Sequence, residues 1–349
     1  MKKLFTIFSL VLLAVILSAC TGKEGKFDYE NGVYFAIQDR TEGQTYRYWV
    51  TVTIKDKKIT NVTWDAYHVD GAAVRCKGES KYVCSEKGNY GDMGGQYGDW
   101  HEQAKRATDW IVKNQKIGKD ITIGNDGKTD AISSVSVTVK ELFDLIDEAF
   151  ENGPVAKGDY NDGFYYVETA LTDKTATYAV LKEGTTNEYL EFTETFKTST
   201  MGSFLVVNGT IVLADINARH DAYVYETDSN GKFVKVATTE EGTAYNLIKN
   251  AIGKVENEEV VISNKSNNEK FVKYVTKDSA GKWYGMSDTG KVEWNLQVQN
   301  IEKLILQNQG LTVNDGKING LSSDATTGAS IHVTDIITVW NLFSADATK

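Results

Sequence analysis

Residues 100–136 of this 349-residue chain are echoed 194 positions further on. Trp100 falls on Trp294 without a gap, Gln103 on Gln297, Ile111 on Ile305, Asn114 on Asn308 and Gln115 on Gln309. The register then holds through a loop, with Asp130 on Asp324, Ala131 on Ala325 and Ser136 on Ser330. A chance match does not stay in register over a helix and a loop alike, so the two stretches read as copies of one unit. Upstream the echo continues at smaller offsets: Gly32-Val-Tyr-Phe-Ala36 matches Gly163-Phe-Tyr-Tyr-Val167, and Ile59, Ala66 and His68 match Ile211, Ala218 and His220. The drifting offset places insertions in the second copy, near 184–200 and 221–275. The sole proline, Pro154, stands in Glu151-Asn-Gly-Pro-Val-Ala-Lys-Gly158, which reads as a linker.

Each copy carries the same coarse pattern. Tyr48–Ile54 and Lys58–Trp64 are rich in aromatic and β-branched residues around a polar turn, Lys55-Asp56-Lys57, which predicts a hairpin. Ser203–Val207 and Thr210–Ile216 repeat it around Asn208-Gly209, a favoured two-residue turn. Trp100, Ala104, Ala107 and Ile111 then line one face of a helix, as do Trp294, Val298, Ile301 and Ile305. A second helix closes each copy, over Val139–Phe150 and roughly Asp335–Phe343, the first with a capping-box pattern from Thr138 to Glu141. Strands followed by helices in one unit imply α+β, with domains over 28–152 and 159–346 joined by a linker at 153–158.

The N-terminus sets the compartment. Lys2 and Lys3 precede an apolar run, Leu4–Ile16, too short to span a bilayer, and then Leu17-Ser-Ala-Cys20. This pattern resembles the bacterial lipobox, which implies a signal peptide over 1–19, a lipidated Cys20, a spacer over 20–27 and a place on the outer face of the cell membrane, as in Gram-positive lipoproteins. Cleavage removes two lysines and no acids, leaving 36 basic against 48 acidic residues, a formal charge of −12. So acidic a chain lacks the footprint of a nucleic-acid binder. With 41% apolar residues it is composed like a folded protein. Cys76 and Cys84, eight apart outside the cytoplasm, fit either a local disulfide or two free thiols. No CxxC pair, HExxH motif, phosphate-binding glycine loop or Ser/His/Asp arrangement points to a metal or a catalytic nucleophile.

The loop before each closing helix carries the chemistry. It reads Asp130-Ala-Ile-Ser133-Ser134-Val-Ser136 in the first copy and Asp324-Ala-Thr-Thr327-Gly328-Ala329-Ser330 in the second. The second loop is similar to the flavinylation motif of the bacterial FMN-binding domain family, Asp-x-x-Ser/Thr-Gly-Ala-Thr/Ser. The resemblance implies FMN joined through its phosphate to Ser330, and by alignment to Ser136, by an FAD-dependent FMN transferase. Asp130, Ser133, Ser134, Asp324, Thr327, Gly328 and Ala329 would then surround two covalent FMN groups. Ser134 and Val135 stand where the motif has Gly and Ala. A phosphodiester near a helix start is favoured by the free N–H groups and dipole there. With the lipobox, the resemblance implies an electron carrier rather than an enzyme. It would take electrons from a membrane quinol-oxidising system and pass them to extracellular acceptors such as ferric iron, flavins or a partner reductase. The alternative is a non-redox ligand- or peptide-binding surface lipoprotein with degenerate FMN domains.

Other residues read more blandly. Trp100 and Trp294 have core spacing. His68 and His220 occupy matched positions and read as hydrogen-bonded structural histidines. His101 and His332 have no counterpart in the other copy, and Glu102 reads as a solvated helix residue.

Overall fold

The computed structural model describes residues 26–41, 44–71, 76–91, 96–181, 185, 188–227, 233–234, 238–240, 243–244, 246–248, 253–257, 259–262, 271–280, 286, 291–321, 331 and 333–348. These residues are α+β, with antiparallel sheets and separate helices. The chain divides into two compact units. The first takes the described parts of Met1–Gln38, Tyr48–Asp65 and Met93–Val155, and the second those of Asp39–Arg47, Ala66–Asp92 and Ala156–Lys349. One unit passes to the other between Val155 and Ala156, inside the expected seam. Asp39–Arg47 and Ala66–Asp92 lie in the first sequence copy yet count with the second unit.

Strands β1 (Gly32–Ile37), β2 (Tyr46–Lys55) and β3 (Lys58–His68) form an antiparallel sheet in that order, with Gly32 opposite Ile54 and Ile37 opposite Trp49. The expected hairpin is there, its turn confined to Asp56 and Lys57, both left-handed at φ 51° and 59°. Alternation along β2 buries Val50, Val52 and Ile54. Helix α1 (Trp100–Asn114) buries the expected face of Trp100, Ala104, Ala107 and Ile111. Glu102 is exposed, as expected, but also caps: its carboxylate accepts the Asp99 N–H at 2.9 Å.

Helix α2 (Lys140–Asn152) buries Leu142, Phe143, Ile146 and Phe150. Its start differs from the expected capping box. Val139 occupies the cap position and no side chain caps there. Instead the Gly127 carbonyl accepts the Val139 and Lys140 N–H groups at 2.8 and 3.1 Å. With Val139 and not Thr138 at the cap, a loop carbonyl meets the Val139 and Lys140 donors and the capping-box pattern is not used. Gly127 lies at φ 75°, and a Cβ there would come within 2.6 Å of Thr138 Cγ2, so glycine is demanded twice over. Pro154 belongs to the first unit's fold. It bridges Tyr34, and the Val155 N–H donates to Val33 O at 2.7 Å. Proline suits an edge position because it has no N–H to leave unpaired.

In the second unit, β4 (Gly163–Glu168) and β5 (Thr172–Leu181) both pair antiparallel with β6 (Tyr189–Val207), which pairs with β7 (Thr210–Thr227), and β7 with β8 (Phe271–Thr276). Asn246–Ile248 adds to β5 in parallel, and Phe233–Val234 to β7. The expected short hairpin is therefore much longer than Ser203–Ile216. The residues near 190–200 and 217–227 extend its two strands instead of forming a separate insert. The extension Glu191-Phe-Thr-Glu-Thr-Phe-Lys-Thr-Ser-Thr200 is threonine- and phenylalanine-rich, a composition suited to a pleated, half-buried surface. Asn208 and Gly209, at φ 53° and 76°, make the turn. Helices α3 (Trp294–Asn308) and α4 (Thr334–Ala347) cover this sheet. Phe204 stacks on Phe343 at 4.1 Å between ring centroids, among buried Ile216, Trp294, Ile301, Ile305 and Val339.

Matched residues make matched bonds in the two units. Gln115 ends α1 in the left-handed conformation, and its amide accepts from Ile59 N at 2.9 Å and donates to Ile59 O at 2.8 Å. Gln309 ends α3 in the same conformation and binds Ile211 N and O at 2.7 and 3.1 Å. Tyr34 donates to Glu30 O, and Tyr165 to Asn161 O, at 2.8 and 2.9 Å.

Candidate functional site

The Asp130–Ser136 loop lies wholly in the first unit, between α1 and α2. A turn precedes it: Gly124 N–H donates to Lys128 O at 2.8 Å and Gly127 N–H to Gly124 O at 2.9 Å. Buried Thr129 then anchors the loop, donating to Thr122 O at 2.7 Å while its hydroxyl oxygen accepts the Ala131 N–H at 3.2 Å. Ile132 is buried and acts as a plug, whereas Asp130, Ser133, Ser134 and Ser136 are exposed. The motif's chemistry-bearing groups therefore face solvent on a loop pinned from beneath.

Ser134 has φ 60°, the left-handed region that favours glycine. It stands where the second copy has Gly328, so the backbone keeps the shape that the glycine of the motif permits. Arg106 of α1 holds it there, with Nε donating to Ser134 O at 3.0 Å and a second guanidinium nitrogen bound to Tyr97 O. Ser136 meets Gln103 of α1. Gln103 Oε1 accepts from Ser136 N at 2.8 Å, Ser136 Oγ at 3.2 Å and Val137 N at 3.3 Å. Gln103 is 1% exposed, and its Nε2 donates to Gly98 O at 2.9 Å.

An exposed hydroxyl beside a helix start, on a loop that Arg106 of α1 holds from the side, fits an anionic phosphodiester in access. One turn before Gln103, Trp100 sits 5.2 Å from Trp64 between ring centroids, and Tyr48 lies 5.9 and 6.2 Å from Trp64 and Trp100. Both tryptophans are buried, as their core spacing implied, and Trp64 Nε1 has no hydrogen-bond partner among the described residues.

The second motif loop, with Asp324, Thr327, Gly328, Ala329 and Ser330, lies outside the described residues, as do Cys20 and His332. Gln297, the α3 residue matched to Gln103 in the sequence repeat, is described. It is buried, and its Nε2 donates to Val292 O at 2.6 Å, the residue matched to Gly98.

Two of the histidines, His68 and His220, belong to the second unit. His68, in the second unit, packs edge-on against Tyr46 at 5.0 Å, and its Nδ1 accepts the Asp70 N–H at 3.1 Å. Burial lowers its pKa against the pull of Asp70 and so favours the neutral form. His220 lies on β7 opposite Thr198. Cys76 and Cys84 form a disulfide with Cα atoms 5.4 Å apart, resolving the open choice. Among the described residues no group of His, Cys, Asp or Glu is arranged to hold a metal.

A buried charged cluster in the second unit was not legible in the sequence. Arg40 grips Asp215 with both carboxylate oxygens, at 2.9 and 2.8 Å, and also binds Asp278. Tyr67 donates to Asp215, and Glu302 accepts the Ile216 N–H at 2.7 Å. Burial works against the Arg40 charge, but Asp215 and Asp278 outweigh it and push its pKa up. Burial, with Asp215, raises Glu302 well above the usual carboxylate range. Burial likewise pushes Asp278 up to about 6, although Arg40 opposes it. The five residues are scattered from 40 to 302 with no repeating spacing, so no sequence signal links them. Gln103 did carry a signal, as a matched position in the repeat, but no chemistry.

No protein-family model matches the chain, and no curated protein matches it. Among solved structures, the chain is similar to the solution NMR structure of a protein from Clostridium thermocellum, at 34% identity over 35% of this chain and 91% of that one, with a TM-score of 0.27.

Proposed function

We propose that this protein is a lipid-anchored extracellular electron-transfer flavoprotein, built from two FMN-binding domains and carrying covalent FMN at Ser136 and Ser330. The observation that supports it most is the motif loop: Ser136 ends a pinned loop at a helix start, exposed, with its Oγ fixed, and the same Asp-to-Ser spacing recurs 194 positions on. FMN, when attached, accepts and releases electrons one or two at a time. The chain's residues hold and orient it. Ser136 supplies the covalent anchor. The start of α2 offers a favourable potential for the phosphodiester, and Thr129 and Ile132 keep the loop from moving. Cys20, lipidated, would keep the carrier on the outer face of the cell membrane, near a membrane quinol-oxidising donor and extracellular acceptors such as ferric iron, flavins or a partner reductase. Among the described residues no helix is long and apolar enough to cross a membrane.

The test is to express the chain with an FAD-dependent FMN transferase and digest it. The peptides holding Ser136 and Ser330 are each expected to gain one FMN mass, and Ser330→Ala is expected to remove one flavin of two. If both wild-type peptides lack the increment, the carrier reading fails. The long β5–β8 extension favours a second reading, a non-redox surface lipoprotein that binds a ligand or peptide along that sheet. Native protein without flavin absorbance or in-gel flavin fluorescence would support it.

A further inference from the structure

We propose that Gln103 is a positioning residue for flavin attachment, orienting the Ser136 hydroxyl for attack. The proposal rests on the reading of Ser136 as a flavinylation acceptor and adds to it a residue outside the motif. Gln103 is almost wholly buried on α1, and its Oε1 receives three donors from the loop, Ser136 N, Ser136 Oγ and Val137 N, at 2.8, 3.2 and 3.3 Å. The amide cannot be turned over without loss. Nε2 is committed to Gly98 O at 2.9 Å, which leaves Oε1 as the group facing the loop.

Two of the three bonds join loop backbone N–H groups to the Gln103 side chain, and those alone would fasten the loop to α1. The third does something else. A serine hydroxyl has one proton and two lone pairs. With the proton directed at Oε1, the lone pairs of an exposed oxygen turn away from the protein, toward whatever approaches from solvent. Attachment then needs no rotamer search at the moment of reaction. In that step Ser136 Oγ forms a bond to the flavin-bearing phosphorus of FAD, and the pyrophosphate P–O bond breaks. AMP leaves with that bond's electron pair, and the hydroxyl proton, held toward Oε1 until Oγ bonds to phosphorus, then passes through solvent water to a base of the transferase. Nothing is oxidised or reduced.

The repeat supplies an independent observation. His101 and Glu102 become Asn295 and Leu296 in the second copy, but Gln103 stays glutamine as Gln297. Gln297 is also buried and spends its Nε2 on the matched carbonyl, Val292 O, at 2.6 Å. A residue needed only as a good helix former has no reason to keep this amide or its grip.

The experiment uses the full chain with an FAD-dependent FMN transferase and FAD, and follows the FMN mass increment on the Ser136 and Ser330 peptides over time. Gln103→Met keeps the length and packing but removes the acceptor. It is expected to slow modification of Ser136 at least tenfold at saturating FAD and transferase, while Ser330 in the same molecules is modified at the wild-type rate. Gln103→Glu retains an acceptor oxygen and is expected to recover most of the lost rate. Half-saturating transferase concentration is expected to stay unchanged for Ser136, because orientation and not docking is removed. Equal rates for wild type and Gln103→Met overturn the proposal. So does loss at Ser136 that Gln103→Glu fails to recover while its thermal midpoint matches that of the wild type. If wild-type Ser136 itself gains no FMN, the attachment reading falls at that serine and the proposal with it. A flavinylated wild type with an equally flavinylated Gln103→Met sinks the proposal alone.

Discussion

Ser134 takes a backbone angle that glycine, its counterpart in the second sequence copy, adopts without strain. The chain holds φ 60° there although serine, unlike glycine, resists the left-handed region. An L-residue in that region costs about 1–2 kcal/mol, and β-branched residues tolerate it least. Ser134→Gly is therefore expected to leave the first unit more stable than Ser134→Val by about 1–2 kcal/mol, read as the difference between their urea midpoints multiplied by the slope. Equal midpoints would mean that the loop relaxes away from this conformation. The serine-for-glycine exchange was visible in the sequence, but the angle was not, because serine admits several backbone regions and only the Arg106 bond to Ser134 O shows which one is held. Gln103 illustrates the same limit. Its repetition was evident, but its role depends on which loop returns to α1.

The elements themselves were largely legible. Period-two and period-3.6 patterns located β2, β3, α1, α3 and the Asn208-Gly209 turn to within a few residues. Burial of one face is a local property that spacing encodes. The start of α2 differs from the Thr138–Glu141 pattern because Val139 takes the cap position with its N–H bound to Gly127 O, and a partner twelve residues before Val139 leaves no mark in a capping pattern. Fastening between elements was also hidden. Gln115 links the end of α1 to β3 through two bonds, to Ile59 N and O at 2.9 and 2.8 Å, and its Nε2 also donates to Val112 O in the last turn of α1 at 2.6 Å. Replacing it by alanine leaves the Ile59 groups without that partner, so Gln115→Ala is expected to cost about 1–3 kcal/mol. Deleting core volume on the same helix is expected to cost about 2–5 kcal/mol for Ile111→Ala, at a site with no exposed surface. Chemical denaturation of both variants checks this. A Gln115→Ala loss under 0.5 kcal/mol would show that water replaces the clip.

At the scale of the whole molecule, the second unit is held by groups far apart in the chain. The Cys76–Cys84 bond closes a short loop, and replacing both cysteines by alanine is expected to lower that unit's stability by about 2–3 kcal/mol, measured against the disulfide-bonded protein. The charged cluster makes stability depend on pH. Asp278 faces Arg40, Asp215 and Asp70, and its pKa in the fold, about 6, exceeds the ordinary 3.8. The folded state thus binds this proton more tightly than the unfolded chain. The stabilisation is complete below the unfolded value and lost as pH rises through 6, which makes the second unit about 1 kcal/mol more stable at pH 5 than at pH 7. Glu302 acts in the same direction. Asp278→Asn is expected to flatten the Asp278 part of that profile in denaturant titrations at the two pH values, and an unchanged slope would remove Asp278 as its source. By itself the sequence determined the α+β class, the repeat, the faces of the helices and the position of the Asp130–Ser136 loop, because each follows from local periodicity or from self-similarity. Only the tertiary structure decided that Asp39–Arg47 and Ala66–Asp92 count with the second unit, that Arg40 neutralises carboxylates from distant segments, and that Gln103 turns the Ser136 hydroxyl. Those facts depend on which groups meet after folding, and burial alone makes such meetings strong enough to matter, by removing the water that would otherwise compete for every charge and hydrogen bond involved.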